Sequence, residues 1–122
     1  MFKKLEEIEV WKRGSRLTVD VFRLTEKEPL ERKWGLCDQV RRSALSIPSN
    51  IAEGYERNSR AEFKRFLMIA KGSCGELRTR LYIIKALGYS ADDEIDNLIK
   101  ESGKLSAMIQ NLATQIHKSS SK

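Results

Sequence analysis

The stretch "SALSIPSNIAEG", residues 43–54, decides the fold. Its apolar residues recur at helical spacing, yet Pro48 stands in the middle. Proline has no backbone N–H, and its ring collides with the carbonyl four residues back, which costs about 3 kcal/mol inside a helix. Either one helix passes through Pro48 or two elements meet there. On a wheel turning about 100° per residue, Leu36, Val40, Ala44, Leu45, Ile47, Pro48, Ile51, Ala52 and Tyr55 share one half. Gln39, Ser43, Ser46, Ser49, Asn50, Glu53 and Glu56 share the other. Two helices joined by a turn have no reason to keep that phase. The sequence therefore predicts one helix from about Trp34 to Tyr55, kinked at Pro48, with serine side chains near the freed carbonyl of Ala44. The competing reading breaks the chain before Asn50, because Asn50 and Glu53 have capping-box spacing.

Outward from this segment, Gly54 and "YERNS" end the helix. Ser59 opens the next as N-cap, with Glu62 reaching back to it. Phe63, Leu67, Ala70, Cys74, Leu77, Leu81 and Ile84 form its apolar stripe, and Gly88 suits a left-handed residue at its end. Upstream, a helix is expected from about Glu7 to Thr25, with Trp11, Leu17, Val21, Phe22 and Leu24 apolar, then a loop broken by Pro29. Downstream, a fourth helix starts at Ser90, with Asp92, Asp93 and Glu94 where the helix dipole favours acids. Its Ile95, Leu98, Ser102, Leu105, Ile109, Leu112 and Ile116 step alternately by three and four, as in a helix lying nearly parallel to its neighbour. The fold reads as all-α, an up-down-up-down antiparallel four-helix bundle. A chain of 122 residues suits one such domain. It is expected over 1–118, with 119–122 a frayed tail.

Charged residues make up 33% of the chain, and no apolar run nears the length of a membrane span. The start, "MFKKLEEIEVWKRG", lacks the apolar core of a signal peptide, so a cytoplasmic protein without membrane contact is expected. Cys37 and Cys74 have no metal-ligand spacing and read as reduced core thiols. The net charge is +6. Residues 90–122 carry four lysines against five acids, so the basic surplus lies upstream and favours an anionic partner.

The most informative charge pattern is on the third helix. Lys64, Lys71, Arg78 and Lys85 recur every seven residues, Arg57 extends the row upstream, and Arg60 lies beside it. The row from Lys64 to Lys85 spans roughly 30 Å. Its first three cations are followed four residues later by Met68, Gly75 and Tyr82, so the next turn of the helix offers no acid at that spacing. Evenly spaced, unneutralised cations suit a polyphosphate backbone. Gly72 and Gly75 flank the row, and Tyr82 supplies a ring on which an unpaired base can stack. The plainer alternative is a solvated or inter-subunit face with acids supplied by another chain. Arg42 projects into the polar arc of the second helix and joins the candidate nucleic-acid residues. Arg41 sits inside the apolar arc and is expected to pair with Glu76 or Glu53. The uncharged arc of Gln39, Ser43, Ser46, Ser49 and Asn50 suits burial against another subunit. The breadth of the apolar arc also points to a homo-oligomer.

Enzyme signals are poor. The single histidine, His117, falls near the tail, and neither a Gly-rich phosphate loop nor a metal-spaced cluster is present. Glu53 and Glu76 read as salt-bridge partners, since a di-metal bundle would want Glu-x-x-His. No catalytic residue, metal or cofactor is expected, and a metal-dependent enzyme is the weakest alternative.

The run "LCDQVRRSALSIPSNIAEGYERNSRAEFKRFLMIAKGSCGELRTRL", with "VWKRG" before it and "ALGY" after, resembles a bacterial family. That family is the four-helix-bundle proteins encoded in intervening sequences of the large-subunit ribosomal RNA gene, also called ribosomal-protein-like. The most specific positions are Gln39, Arg41, Arg42, Ser46-x-Pro48-x-Asn50-Ile51-Ala52-Glu53-Gly54, Arg65, Ala70, Ser73 and Glu76. The resemblance implies a homopentamer associated with ribosomal RNA. The chain is more distantly similar to the accessory protein of diversity-generating retroelements, a basic pentameric bundle that partners a reverse transcriptase and nucleic acid. The expected function is a non-catalytic oligomer that binds structured RNA through phosphates. The alternative is an adaptor ring that docks an acidic protein such as a reverse transcriptase.

Overall fold

The computed structural model describes residues 2–120, with side chains described as far as Ile116. Four helices form the molecule: α1 (Glu9–Thr25), α2 (Trp34–Glu56), α3 (Arg60–Ala86) and α4 (Asp92–Ser120). A 3-10 turn, Leu5–Glu7, precedes α1, so the helix expected from Glu7 starts two residues later. A second 3-10 turn, Leu30–Arg32, lies in the connection that Pro29 breaks. Each helix packs on the next, and α4 packs back on α1. Successive neighbours run antiparallel. Along α2 and α3, Gln39 meets Arg80, Ser46 meets Ser73, and Gly54 meets Phe66. The architecture is an all-α four-helix bundle, and no strand occurs among the described residues. The tail expected at 119–122 falls at the limit of description: α4 continues to Ser120, and 121–122 lie outside the described residues.

α2 passes through Pro48 as a single helix, as its phase requires. Pro48 leaves the Ala44 carbonyl without its usual helical donor, and Ala44 is fully buried. The serines expected there do not supply the replacement. The Thr18 hydroxyl of α1 lies 3.0 Å from the Ala44 oxygen and 2.7 Å from the Gly14 oxygen, and shares its proton between them. Serine of α2 is occupied elsewhere: Ser43 donates within its own turn, to the carbonyls of Gln39 and Val40. Thr18 reaches Ala44 because Gly14, one turn earlier, lets the two backbones approach. A Cβ at Gly14 would lie 3.2 Å from Ile47 Cγ2 and 3.6 Å from the ring of Pro48.

The neutral arc of α2 is met largely inside the chain. Asn50 Nδ2 donates to the Ser46 hydroxyl at 2.9 Å and to the Ser46 carbonyl at 2.8 Å. Ser46 lies 2.8 Å from the Ser73 hydroxyl, which donates to the Ile69 carbonyl. The proton order therefore runs from Asn50 through Ser46 and Ser73 into α3. Asn50 does not cap a new helix. Ser43 is buried, whereas Gln39 and Ser49 stay exposed. Small hydroxyl side chains sit here because α3 lies close. A Cβ at Gly54 would come within 2.6 Å of Phe66 Cβ.

The apolar stripe read on α3 is buried at every position, from Phe63 to Ile84. That of α4 is buried except at Leu112, which is half-buried. Ser59 caps α3 by accepting from the Glu62 N–H, but the Glu62 carboxylate turns to Arg65 and Arg57 rather than back to the cap. Gly88 is left-handed at φ 72°, as its position after α3 suggests. Two apolar expectations fail. Leu45 is 51% exposed and Phe22 37% exposed. Both cysteines are buried and unpaired, and burial pushes the Cys74 thiol up to about 12 against the opposing pull of Arg78.

Thr18→Val leaves the buried Ala44 carbonyl without a donor and should cost about 1–3 kcal/mol. In a Pro48→Ala background the helix supplies its own N–H, so the same substitution should cost well under half as much in a urea-denaturation double-mutant cycle. Gly54→Ala should destabilise by about 1–3 kcal/mol through overpacking. Gly72→Ala and Gly75→Ala, where nothing lies within 4 Å of the added carbon, should each stabilise by roughly 0.5–1 kcal/mol.

Candidate nucleic-acid interface

The heptad row of α3 lies along its seam with α4, where Lys64, Lys71, Arg78 and Lys85 are all half-buried. Each seven-residue step down the row is matched by a seven-residue step up α4. Lys85 Nζ lies 2.7 Å from Asp96, Arg78 Nη1 would stand 3.4 Å from a Cβ at Gly103, and Lys71 Nζ donates to Gln110 Oε1 at 2.8 Å. One cation of the row is therefore neutralised across the seam: Lys85 meets Asp96 of α4. Residue periodicity along α3 shows which side chains share a face, but Asp96 comes from the neighbouring helix.

The three described contacts differ in charge. Asp96 neutralises Lys85 and, by its hydrogen bond, holds the ammonium protonated above the usual lysine range. Gln110 satisfies one donor of Lys71 but is uncharged. Gly103 has no side chain, so the Arg78 guanidinium lies over backbone and makes no ion pair among the described residues. On α4, Lys100 and Lys104 flank the Gly103 position in sequence, are exposed, and likewise have no ion pair among the described residues. The middle of the seam thus gathers Lys71, Arg78, Lys100 and Lys104 without a matching carboxylate.

The upstream end of the row is different. Arg57 pairs with Glu53 at 3.2 Å and with Glu62 at 3.1 Å, and stacks over Phe66 at 4.8 Å. Arg65 pairs with Glu62 and covers Phe66 as well. Two arginines and two glutamates balance there, so Arg57 belongs to a structural cluster at the α2–α3 junction. Arg60 is exposed and lines a cleft of about 270 Å³ with Phe2, Tyr55, Asn58, Ser59 and Phe63.

The remaining candidates fall elsewhere. Arg42 is paired with Asp38 at 3.2 Å on the exposed side of α2, away from the α3–α4 seam. Arg41 pairs with neither Glu76 nor Glu53. Its Nε donates to Thr25 Oγ1 at 2.8 Å and its guanidinium lies 5.4 Å from the Phe22 ring centre, so it fastens α2 to α1. Glu53 is taken by Arg57, and Glu76 faces Arg80 at 3.7 Å. His117, read near the tail, lies outside the described side chains. Sequence reasoning missed Gly14, Thr18, Gly103 and Gln110. A glycine four residues before a threonine in α1 was the available signal for the first pair, since mid-helix glycine is costly unless a backbone comes near.

The α3 face beside the row is open. Met68, Ile69, Tyr82, Ile83 and Leu87 are 37–55% exposed. A second exposed apolar group lies on α1 and α2, at Val19, Phe22, Trp34 and Leu45, with Trp34 81% exposed. No helix is long and apolar enough to cross a membrane among the described residues.

No curated protein matches the chain. A crystal structure of a Bacteroides thetaiotaomicron VPI-5482 protein from the S23 ribosomal protein family superposes with a TM-score of 0.77 at 20% identity, covering 85% of this chain and 97% of that one. That likeness establishes a shared fold. At the level of sequence, residues 6–111 match the 23S rRNA-intervening sequence protein family. With the match spanning most of the bundle, including Pro48, its Gly14–Thr18 support and the α3 row, the chain belongs to the 23S rRNA-intervening sequence protein family.

Proposed function

We propose that this protein is a non-catalytic, self-associating bundle of the cytoplasm that binds nucleic acid, structured ribosomal RNA above all, through phosphates on the α3–α4 seam. The observation that carries the reading is the state of Lys71 and Arg78. Both stems are packed against α4, yet neither charge meets a carboxylate among the described residues. A site preorganised in this way gains counterion release on meeting a polyphosphate, with little side-chain ordering left to do. Lys100 and Lys104 add to the same field, whereas Arg57 and Lys85 are already balanced and contribute less. The family name supplies ribosomal RNA as the first candidate ligand.

Self-association is assigned to the α1–α2 face. Large exposed apolar side chains, Trp34 foremost at 81%, mark association surfaces where they gather on one face of a soluble protein. Using Val19, Phe22, Trp34 and Leu45 for contact between copies would leave α3 outward, and a ring, the pentamer included, would repeat its cations around the rim. The adaptor reading draws on Met68, Ile83 and Leu87, which would suit an acidic protein with an apolar face.

Binding to a folded RNA and to duplex DNA should weaken steeply between about 50 and 200 mM salt. The Lys71→Glu/Arg78→Glu double substitution should abolish binding while leaving the circular-dichroism spectrum and melting midpoint in place. Unchanged affinity in that variant, or no binding at the lower salt, would overturn the assignment.

A further inference from the structure

The cation row has a neighbour of different character on the same helix. Met68, Gly72, Gly75, Thr79, Tyr82 and Ala86 step alternately by four and three, so they form one continuous strip along α3. Lys71 immediately precedes Gly72, and Arg78 immediately precedes Thr79, which places the two cations along one edge of the strip. The strip faces outward. Tyr82 is 55% and Met68 37% exposed, and a Cβ at Gly72 or Gly75 would meet nothing within 4 Å. Its bare part, from Gly72 to Gly75, is about one turn long, with the Thr79 hydroxyl bonded back to the Gly75 carbonyl at 2.9 Å, the thioether of Met68 at one end and the ring of Tyr82 at the other.

The occupant must answer both halves of this surface. An apolar partner alone leaves Lys71 and Arg78 desolvated without a counter-charge, which is costly. A second copy laid on this strip brings its own cation row, so like charges would oppose. A nucleic-acid duplex offers phosphates but hides its base faces. An unpaired strand offers both, phosphates along one edge and planar base faces along the other, and base–aromatic stacking with flanking cations is the physics of single-strand binding. The glycines fit that role because a planar base can lie on bare backbone. We infer that the Met68–Tyr82 strip of α3, bordered by Lys71 and Arg78, is a binding bed for unpaired nucleic acid, with Tyr82 stacking on a base.

This inference rests on the nucleic-acid reading above, and the test separates the two. An oligoribonucleotide without self-complementarity and its blunt duplex of equal length are titrated by fluorescence anisotropy at matched salt. The single strand should bind more tightly. Tyr82→Ala should weaken single-strand binding at least about fivefold, the lower end for one base–aromatic stack. It should leave duplex binding and both salt slopes unchanged, and Tyr82→Phe should retain single-strand affinity. Gly75→Leu, where an added Cβ meets nothing within 4 Å, should also weaken the single strand selectively with an unchanged circular-dichroism spectrum. Equal or tighter duplex binding, or single-strand affinity indifferent to Tyr82→Ala and Gly75→Leu, would overturn the strip while the phosphate reading stands. Absence of binding by either form at low salt, with capture of an acidic amphipathic peptide instead, would overturn both.

Discussion

One buried carbonyl governs the rest of the structure. Pro48 deprives Ala44 of its helical donor at a fully buried position, where an unmet acceptor is expensive. The Thr18 hydroxyl meets it from α1, and Gly14 removes the side chain that would have held the helices apart. These three residues turn a helix breaker into a fixed contact between α1 and α2. Because α2 continues through Pro48 in phase, Ser46 before it and Gly54 beyond it both face α3, with Asn50 bonded to Ser46 between them. The Ser46–Ser73 hydrogen bond and the Gly54–Phe66 approach then set the rotation of α3. That rotation puts the apolar stripe of α3 into the core, its cation row onto α4, and its glycine-bearing strip into solvent. The surface assigned to a ligand is thus a consequence of packing two helices away.

The seam between α3 and α4 shows how charge is distributed within a regular repeat. The row has a seven-residue period, and so do the α4 positions it meets, yet the described partners are an acid, a glycine and an amide. Lys85 is balanced, Arg78 is left over bare backbone, and Lys71 keeps its charge while satisfying a donor. At the other end, Arg57 and Arg65 are absorbed by Glu53, Glu62 and the Phe66 ring. Between these ends, Lys71 and Arg78 meet no carboxylate among the described residues. A solvated face would intersperse signs along its length, and an inter-helix brace would place acids opposite each cation. The middle of this seam does neither.

Much of this was legible from residue order alone. The phase of α2, the Ser59 cap, the left-handed Gly88 and the buried stripe of α3 are local properties, governed by spacing and backbone preference. What could not be read was the identity of cross-helix partners. Arg41 was given to an acid because it sits in an apolar arc, but Thr25 and Phe22 of α1 hold it. The neutral arc of α2 suggested another subunit, whereas Ser73 of α3 meets its centre. Asp96 was invisible as a partner of Lys85 for the same reason. Periodicity tells which residues share a face, while the register between faces is decided by packing. Gly14 and Thr18 are the instructive case. Their spacing was in view, but their purpose depended on a proline thirty residues away.

The unbalanced middle of the α3–α4 seam is proposed to meet an anionic strand. Lysine footprinting tests it most directly, because it reads each ammonium separately and is indifferent to oligomer size. The protein is treated with an amine-acylating reagent at low salt with and without RNA, and each lysine is quantified by mass spectrometry. Lys71, Lys100 and Lys104 should be protected together by RNA, while Lys12, paired with Glu9, and Lys27, paired with Glu94 of α4, react as before. Protection confined to Lys12, Lys27 or the N-terminal lysines, with Lys71 reacting equally in both samples, would contradict it.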